Sequence, residues 1–354
     1  MGNKVKVGYI GWLSYDQTEY STPYAVCDIN AAKLRAYCQE HPEVKSFSDY
    51  RDMAGDPELD VVVISTPNWL HCEMTEAFLQ KGKHVFCEKP MGINRAEMNR
   101  MLRAQRASGK QLALDFEMRI SCAARRIKDL LDSGEFGALR GIEFTHHRGG
   151  WLAEGAMLWR TDPRKSGGLY FMEICHEVDI FRYFAGEITH VQSFKTPNVL
   201  PQYAPDMPDN VITHLFFKSG AMGSIATSHT VSVFTAPLAR YHDLGHDMAF
   251  VLTGSAGALR LDCITERLLL VKYRPYPAGS HGKRVELERI EDFSGRNAFH
   301  DIDENRRAFI RSCAEGRPHV QDAYDAWRTH CVCLAAEHSA LHGFKKEAVD
   351  YTGG

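Results

Sequence analysis

Asp60-Val61-Val62-Val63-Ile64-Ser65-Thr66-Pro67-Asn68-Trp69-Leu70-His71 is the stretch that decides the fold. Its first half is a continuous β-branched apolar run, the mark of a strand buried on both faces of a parallel sheet. Its second half is a polar turn that opens a helical period, with Leu70, Met74, Ala77 and Phe78 on one face. The unit returns in Gly82-Lys83-His84-Val85-Phe86-Cys87-Glu88-Lys89-Pro90, followed by Met98, Met101, Leu102 and Gln105 at helical spacing. Lys4–Ile10 and Tyr24–Cys27 upstream, and Gln111–Leu114 downstream, read as further strands. This alternation predicts a doubly wound, parallel α/β domain with right-handed crossovers over residues 1–120.

Near residue 120 the rhythm changes. Cys122–Ser133 reads as an amphipathic helix (Ile127, Leu130 and Leu131 inside) stopped by Gly134. Strand-like runs then dominate: Arg140–Arg148, Thr189–Lys195, Val211–Lys218, Ala221–Val233, Met248–Thr253, Leu259–Asp262 and Leu268–Arg274. Connections such as Lys218-Ser219-Gly220 suit hairpins, so residues 121–354 should form an α+β domain on a large, open, mostly antiparallel sheet. Two helices close the chain, Asp301–Ala314 and Asp322–His342, separated by Glu315-Gly316-Arg317-Pro318.

The 354 residues carry 42 basic against 45 acidic side chains, a formal net charge of −3, so no basic field favours nucleic acid or an anionic membrane surface. No run approaches the roughly 18 apolar residues that span a bilayer. The N-terminus shows neither a signal-peptide core nor, with Val5, Lys6 and Val7 after Met1-Gly2, a myristoylation pattern, and a cytoplasmic protein is expected. Ten cysteines, mostly in apolar segments (Cys27, Cys87, Cys122, Cys313), read as reduced, buried thiols. Cys331-x-Cys333 has no partner pair and is no zinc signature.

A dinucleotide domain should carry a glycine-rich turn after its first strand. Here that turn is Gly11-Trp12-Leu13-Ser14, with Leu13 and Asp16 at the later glycine positions and Pro23 close by, leaving little room for a crossover helix. Asp28, ending the second strand, suits ribose hydroxyls and repels a 2′-phosphate, or else caps a helix. Ser65–His71 and Glu88-Lys89-Pro90 are strand-end turns, where open α/β sheets collect ligands.

The run from Asp56 to Arg119 resembles the glucose–fructose oxidoreductase / inositol dehydrogenase / rhizopine catabolism (Gfo/Idh/MocA) family, through Ser65-Thr66-Pro67-Asn68-x-x-His71 and Glu88-Lys89-Pro90. The likeness continues through Gly167-Gly168 and Cys175-His176-Glu177-Val178-Asp179 to the Glu-Gly-Arg-Pro break. It implies a Rossmann-type NAD(P) domain and a C-terminal domain whose sheet builds homodimers or homotetramers. It also implies oxidation or reduction at a ring carbon of a sugar, sugar derivative or cyclitol. Lys89 becomes the lysine at the reacting hydroxyl and His176 the histidine that exchanges its proton. NAD rather than NADP is expected because of Asp28.

The residue types suit that chemistry. Hydride leaves a carbinol only as its O–H proton is removed, and histidine, with an ordinary pKa of about 6.5, serves near neutrality. An ammonium such as Lys89 stabilises the developing alkoxide. Glu173, His176 and Asp179, at i, i+3 and i+6, should flank the imidazole with carboxylates. Glu-x-x-His is also a metal pattern, but no second pair matches and no metal is expected. Many relatives place a carboxylate four residues before the histidine; here Met172 stands there.

Trp159-Arg160 matches a pair that relatives place near the nicotinamide, and Arg119 follows a strand end. The expected cofactor set is Gly11, Trp12, Asp28, Ser65, Thr66, Pro67, Asn68, His71, Glu88, Lys89, Arg119, Trp159 and Arg160. His242-Asp243-x-x-His246-Asp247 reads as a polar loop, a sugar site or a metal site, and Trp151 and Tyr15 as sugar-stacking, core or interface aromatics. An alternative on the same machinery is redox-neutral glycoside cleavage by transient ring oxidation, elimination and re-reduction. A binding or regulatory protein without turnover is a third reading, opposed by Lys89 and His176.

Overall fold

The computed structural model describes residues 4–148, 155–199, 207–229, 246–263, 265–275, 283–296 and 298–354. Six strands, β1 (Val5–Ile10), β2 (Ser21–Cys27), β3 (Lys45–Phe47), β4 (Val61–Ile64), β5 (His84–Cys87) and β6 (Leu112–Leu114), form one sheet. It is parallel throughout, in the order β3-β2-β1-β4-β5-β6. Helices α1 (Ala31–Glu40), α2 (Tyr50–Gly55), α3 (His71–Gln80) and α4 (Arg95–Ser108) supply crossovers. Asn30, Asp49 and Asn94 cap α1, α2 and α4 with side-chain oxygens on orphan N–H groups.

The link from β1 to β2 departs from this pattern. Residues 11–20 contain no helix. A parallel pair needs its crossover face covered, and here α8 (Ile302–Ala314) does it from the far end of the chain. Phe309 and Ile310 of α8 join Val7, Tyr9, Val26, Val61, Val63 and Phe86 in one buried cluster. Asp16, in the helix-free link, accepts from Nε of Arg306 at 2.8 Å and pairs with its Nη2 at 2.6 Å.

Beyond α5 (Cys122–Asp132) the chain builds the second sheet. Its strands are β7 (Leu139–Arg148), β8 (Ile188–Lys195), β9 (Asn210–Phe217), β10 (Met222–Ser228), β11 (His246–Gly254), β12 (Gly257–Asp262), β13 (Arg267–Pro275), β14 (Lys283–Asp292) and β15 (Glu347–Ala348). The order is β14-β13-β12-β11-β7-β10-β9-β8-β15, antiparallel except for β7 beside β10. Between β7 and β8 lie α6 (Pro163–Ser166) and α7 (Cys175–Ala185), and α9 (Ala323–Leu341) packs on β8, α7 and α4. Strand β14 falls in a stretch the sequence reading left unassigned. A register shift at Leu270/Val271 changes the phase of its pairing, and Val285, Leu287 and Ile290 stay exposed on this edge strand.

All ten cysteines are free; Cys38, Cys122 and Cys313 are half-buried, so the expectation of buried thiols fails for Cys122 and Cys313. No described helix is long and apolar enough to cross a membrane.

Candidate functional site: a cleft at the crossing of β1 and β4

Strand order reverses between β1 and β4, and a cleft of about 820 Å³ opens there, at the carboxyl ends of the strands. Gly11, Trp12 and Ser14 line it beyond β1, Ser65, Thr66, Pro67 and Asn68 beyond β4, and Glu88 and Lys89 beyond β5. Trp159, Arg160 and Met172 close it from the second domain, with His300, Asp301, Ile302, Asp303 and Arg306 leading into α8.

Gly11 is required by geometry. Its φ is +81°, and a Cβ there would lie 2.2 Å from the Ser65 carbonyl oxygen. The two strand-end turns therefore run backbone against backbone. Trp12 is 72% exposed at the mouth of the cleft. Asp28 directly follows β2; its carboxylate accepts from the Asn30 N–H at 2.9 Å and pairs with Lys33 at 2.6 Å. Lys33 also donates to the Gly11 carbonyl, which ties α1 to the β1 turn. The helix cap is Asn30, so the capping reading of Asp28 is corrected.

His71 does not line the cleft. It is buried, its Nδ1 2.9 Å from the Pro90 carbonyl and its Nε2 2.9 Å from that of Thr66, so it fastens two cleft turns together. Asn68 reaches the other domain, donating to the Ser166 carbonyl at 2.7 Å. Trp159 meets Trp69 edge-on at 5.4 Å, and Arg160 lies over the Trp159 ring.

Lys89 donates to the Met172 carbonyl. Burial works against its charge, yet Glu173, Glu88 and Glu117 nearby outweigh it and raise its pKa, so it stays an ammonium. Glu88 is pushed up to about 7 by burial and by the charge of Glu117. Glu173 thus serves Lys89, and Tyr170–Ile174 is a π-helical turn, which alters the spacing assumed between Glu173 and His176.

His176 sits just behind the cleft wall, its side chain 11% exposed. Burial pushes its pKa down to about 3, with Lys89 acting in the same sense and Glu117 against it. It is therefore neutral near pH 7, as a proton acceptor must be.

Asp179 and Arg119 are corrected in position. Arg119 grips Asp179 with two bonds of 2.5 Å and reaches Asp325 at 2.6 Å, and Thr329 donates to Asp179 at 3.0 Å. Asp179, at i+3 from His176, is thus spent on a buried clamp joining the turn after β6 to α7 and α9, outside the cleft. Tyr15 stacks on His41 at 4.1 Å and does not line the cleft. Trp151, His242 and Asp243 lie outside the described residues, while His246 and Asp247 begin β11. Among the described residues no three His, Cys, Asp or Glu side chains form a metal-binding group.

Sequence reasoning missed two residues: His300, which lines the cleft, and Glu117, buried beside it. Glu117, in the turn after β6, and His300, before α8, bond at 2.5 Å. The position of Glu117 at a strand's carboxyl end was a usable signal; nothing local marks His300.

Comparison with known proteins accords with this geometry. Residues 8–116 match the Gfo/Idh/MocA oxidoreductase family, NAD-binding Rossmann fold, and residues 124–260 match the Gfo/Idh/MocA C-terminal domain. The chain belongs to the Gfo/Idh/MocA family and is an NAD-binding oxidoreductase. It is 26% identical to myo-inositol 2-dehydrogenase of Thermotoga maritima over 320 residues, 89% of this chain and 88% of that protein. It is 29% identical to the uncharacterized oxidoreductase YrbE of Bacillus subtilis over 249 residues, 67% of this chain and 65% of that one. A solved levoglucosan dehydrogenase in complex with NADH shares the fold, with a TM-score of 0.79 and 21% identity over 98% of this chain and all (100%) of that one.

The residues present suit NAD. Gly11, which the tight packing of the β1 turn on the Ser65 backbone requires, lines the cleft at the carboxyl end of β1, and Asp28 offers a carboxylate just beyond β2. The usual helix N-terminus after β1 is missing, and the first turn of α8 stands at the cleft instead.

The buried histidines favour the folded state at neutral pH. Burial lowers His176 to about 3, and His84 and His330 to about 4. Unfolded, each would titrate near 6.5. Between those values these three sites hold more protons in the unfolded chain, so their contribution is full above about pH 6.5 and is lost as pH falls. Buried carboxyl groups act in the opposite sense: burial pushes Glu88 and Glu337 up to about 7 and Glu177 up to about 8, so their cost to the folded state grows as pH rises through the same window.

Proposed function

We propose that this protein oxidises a secondary hydroxyl on a ring carbon of a sugar, sugar derivative or cyclitol, or reduces the corresponding ketone, with NAD. The observation that carries the reading is the Lys89 ammonium lining a cleft that opens where β1 and β4 diverge, with the neutral His176 buried within its electrostatic reach. The names of the relatives, a myo-inositol dehydrogenase and a levoglucosan dehydrogenase, point to cyclic polyols as the substrate class.

Bound NAD supplies the acceptor for the hydride. The chain's own residues handle the proton and the charge. Lys89, a buried ammonium, donates to the reacting oxygen and lowers the cost of alkoxide character. His176, neutral, takes the hydroxyl proton. Trp159, Arg160 and the Ser65–Asn68 turn line the cleft around Lys89.

The test is a panel of free sugars, anhydrosugars and cyclitols incubated with the protein and NAD, followed by NADH absorbance. At least one cyclic polyol should yield NADH, and silence across the panel contradicts the proposal. Asp28→Ala should weaken NAD binding by at least about tenfold, the loss of a hydrogen bond to a charged acceptor, as read by titration calorimetry. Unchanged NAD affinity removes Asp28 from the site.

A further inference from the structure

His176 presents a physical difficulty that the rest of its environment resolves. A neutral imidazole is comfortable at this depth, but the imidazolium formed on accepting a proton is not. Its Nδ1 is buried and finds no hydrogen bond. The group facing that nitrogen is Glu117, with Oε2 at 3.5 Å. Glu117 comes from the turn after β6, in the other domain, and is itself buried, 3% exposed. Its second oxygen, Oε1, meets Nδ1 of His300 at 2.5 Å. One carboxylate thus lies between two imidazoles, with ring centres 6.2 Å apart.

We propose that Glu117 is the positioning carboxylate of His176, supplied across the domain seam, and that His300 holds it in place. The proposal rests on the reading of His176 as the base. In the resting site the His176 proton sits on Nδ1, aimed at Glu117, which leaves the Nε2 lone pair for the substrate hydroxyl. As the C–H electron pair departs with the hydride, the O–H proton moves to Nε2, and the resulting imidazolium faces a carboxylate. His176 then returns that proton to water when product leaves, which closes the balance. Met172, four residues before His176, contributes only its carbonyl, to Lys89. The carboxylate for the histidine therefore arrives from elsewhere in the chain.

Charges around Glu117 agree with the assignment. Glu88 and Asp115 at the ends of β5 and β6 repel its charge, while Lys89, His176 and His300 favour it. Burial raises its pKa, but the two histidines prevail and hold it at about 2, so it is ionised throughout the working range.

Two readouts test this. With the best polyol from the panel, Glu117→Gln should lower kcat by about 10²-fold with little change in KM. Because Glu117 raises the basicity of His176, its loss should also move the acid limb of the pH profile to lower pH. Glu117→Asp should recover part of the rate, and His300→Gln should lose less than Glu117→Gln. Independently of substrate, ring-nitrogen NMR of histidine-labelled protein should find His176 protonated on Nδ1, with that tautomer's population reduced in Glu117→Leu. A Glu117→Gln enzyme within about twofold of wild type, beside an inactive His176→Ala, overturns the inference alone. A rate loss with an unmoved limb, equal in Glu117→Asp and Glu117→Gln, also overturns it, since that is the signature of a packing role. An active His176→Ala overturns the reading of the base itself.

Discussion

Lys89→Ala and His176→Ala should each lower kcat by on the order of 10²–10⁴, the usual weight of a positioned acid–base group. The two losses should differ in kind. Without Lys89 the cleft loses an ammonium that Glu173, Glu88 and Glu117 hold charged, so these buried carboxyl groups lose their shared cation and developing alkoxide charge loses its stabiliser. That variant should fall in kcat and not recover at higher pH. Without His176 the proton acceptor is gone, and raising the pH should restore part of the rate as hydroxide takes the proton. A loss below about fivefold in both variants contradicts the site assignment.

Asp16→Ala should be among the most destabilising changes in the protein although Asp16 is no member of the apolar core. Asp16 is 9% exposed, bound by Arg306 at 2.6 and 2.8 Å, with the Tyr9 hydroxyl at 3.5 Å and Arg307 at 3.4 Å. Removing it leaves the buried Arg306 guanidinium only Asp303, at 2.7 Å, and breaking a buried pair typically costs about 3–5 kcal/mol. At roughly 2–4 °C per kcal/mol the midpoint should drop by on the order of 10 °C. The position explains the size: this pair pins the helix-free β1–β2 link to α8, which covers one face of the parallel sheet. Scanning calorimetry of Asp16→Ala beside an exposed control such as Arg164→Ala reads the effect. A drop of less than about 2 °C, equal to the control, contradicts the role given to α8.

The parallel sheet was legible because burial on both faces leaves an unbroken apolar run such as Val61–Ile64, and because Pro67 and Pro90 punctuate its turns. The shortage between Gly11 and Asp28 was equally visible. Its remedy was not, since Asp16 and Arg306 stand 290 residues apart and no local pattern announces that a terminal helix will fill an early gap. Strand β14 escaped because its exposed edge and the nearby register shift obscure period-2 alternation. In the site, Lys89 and the Ser65–Asn68 turn were readable from their place at strand ends. Asp179 misled: helical spacing says which face a side chain occupies, and cannot say that Arg119 will claim it. Glu117 and His300, 183 residues apart, form a pair that only the folded chain creates.

The central claim is net hydride transfer to NAD from a cyclic polyol, and one measurement bears on it most directly. NADH formation and aglycone release are followed together in single reactions containing either a free cyclic polyol or its aryl glycoside. One NADH per polyol oxidised is expected, abolished in His176→Ala, with no aglycone release. Aglycone release without net NADH would contradict that claim and place the protein among redox-neutral enzymes that return the hydride to the sugar.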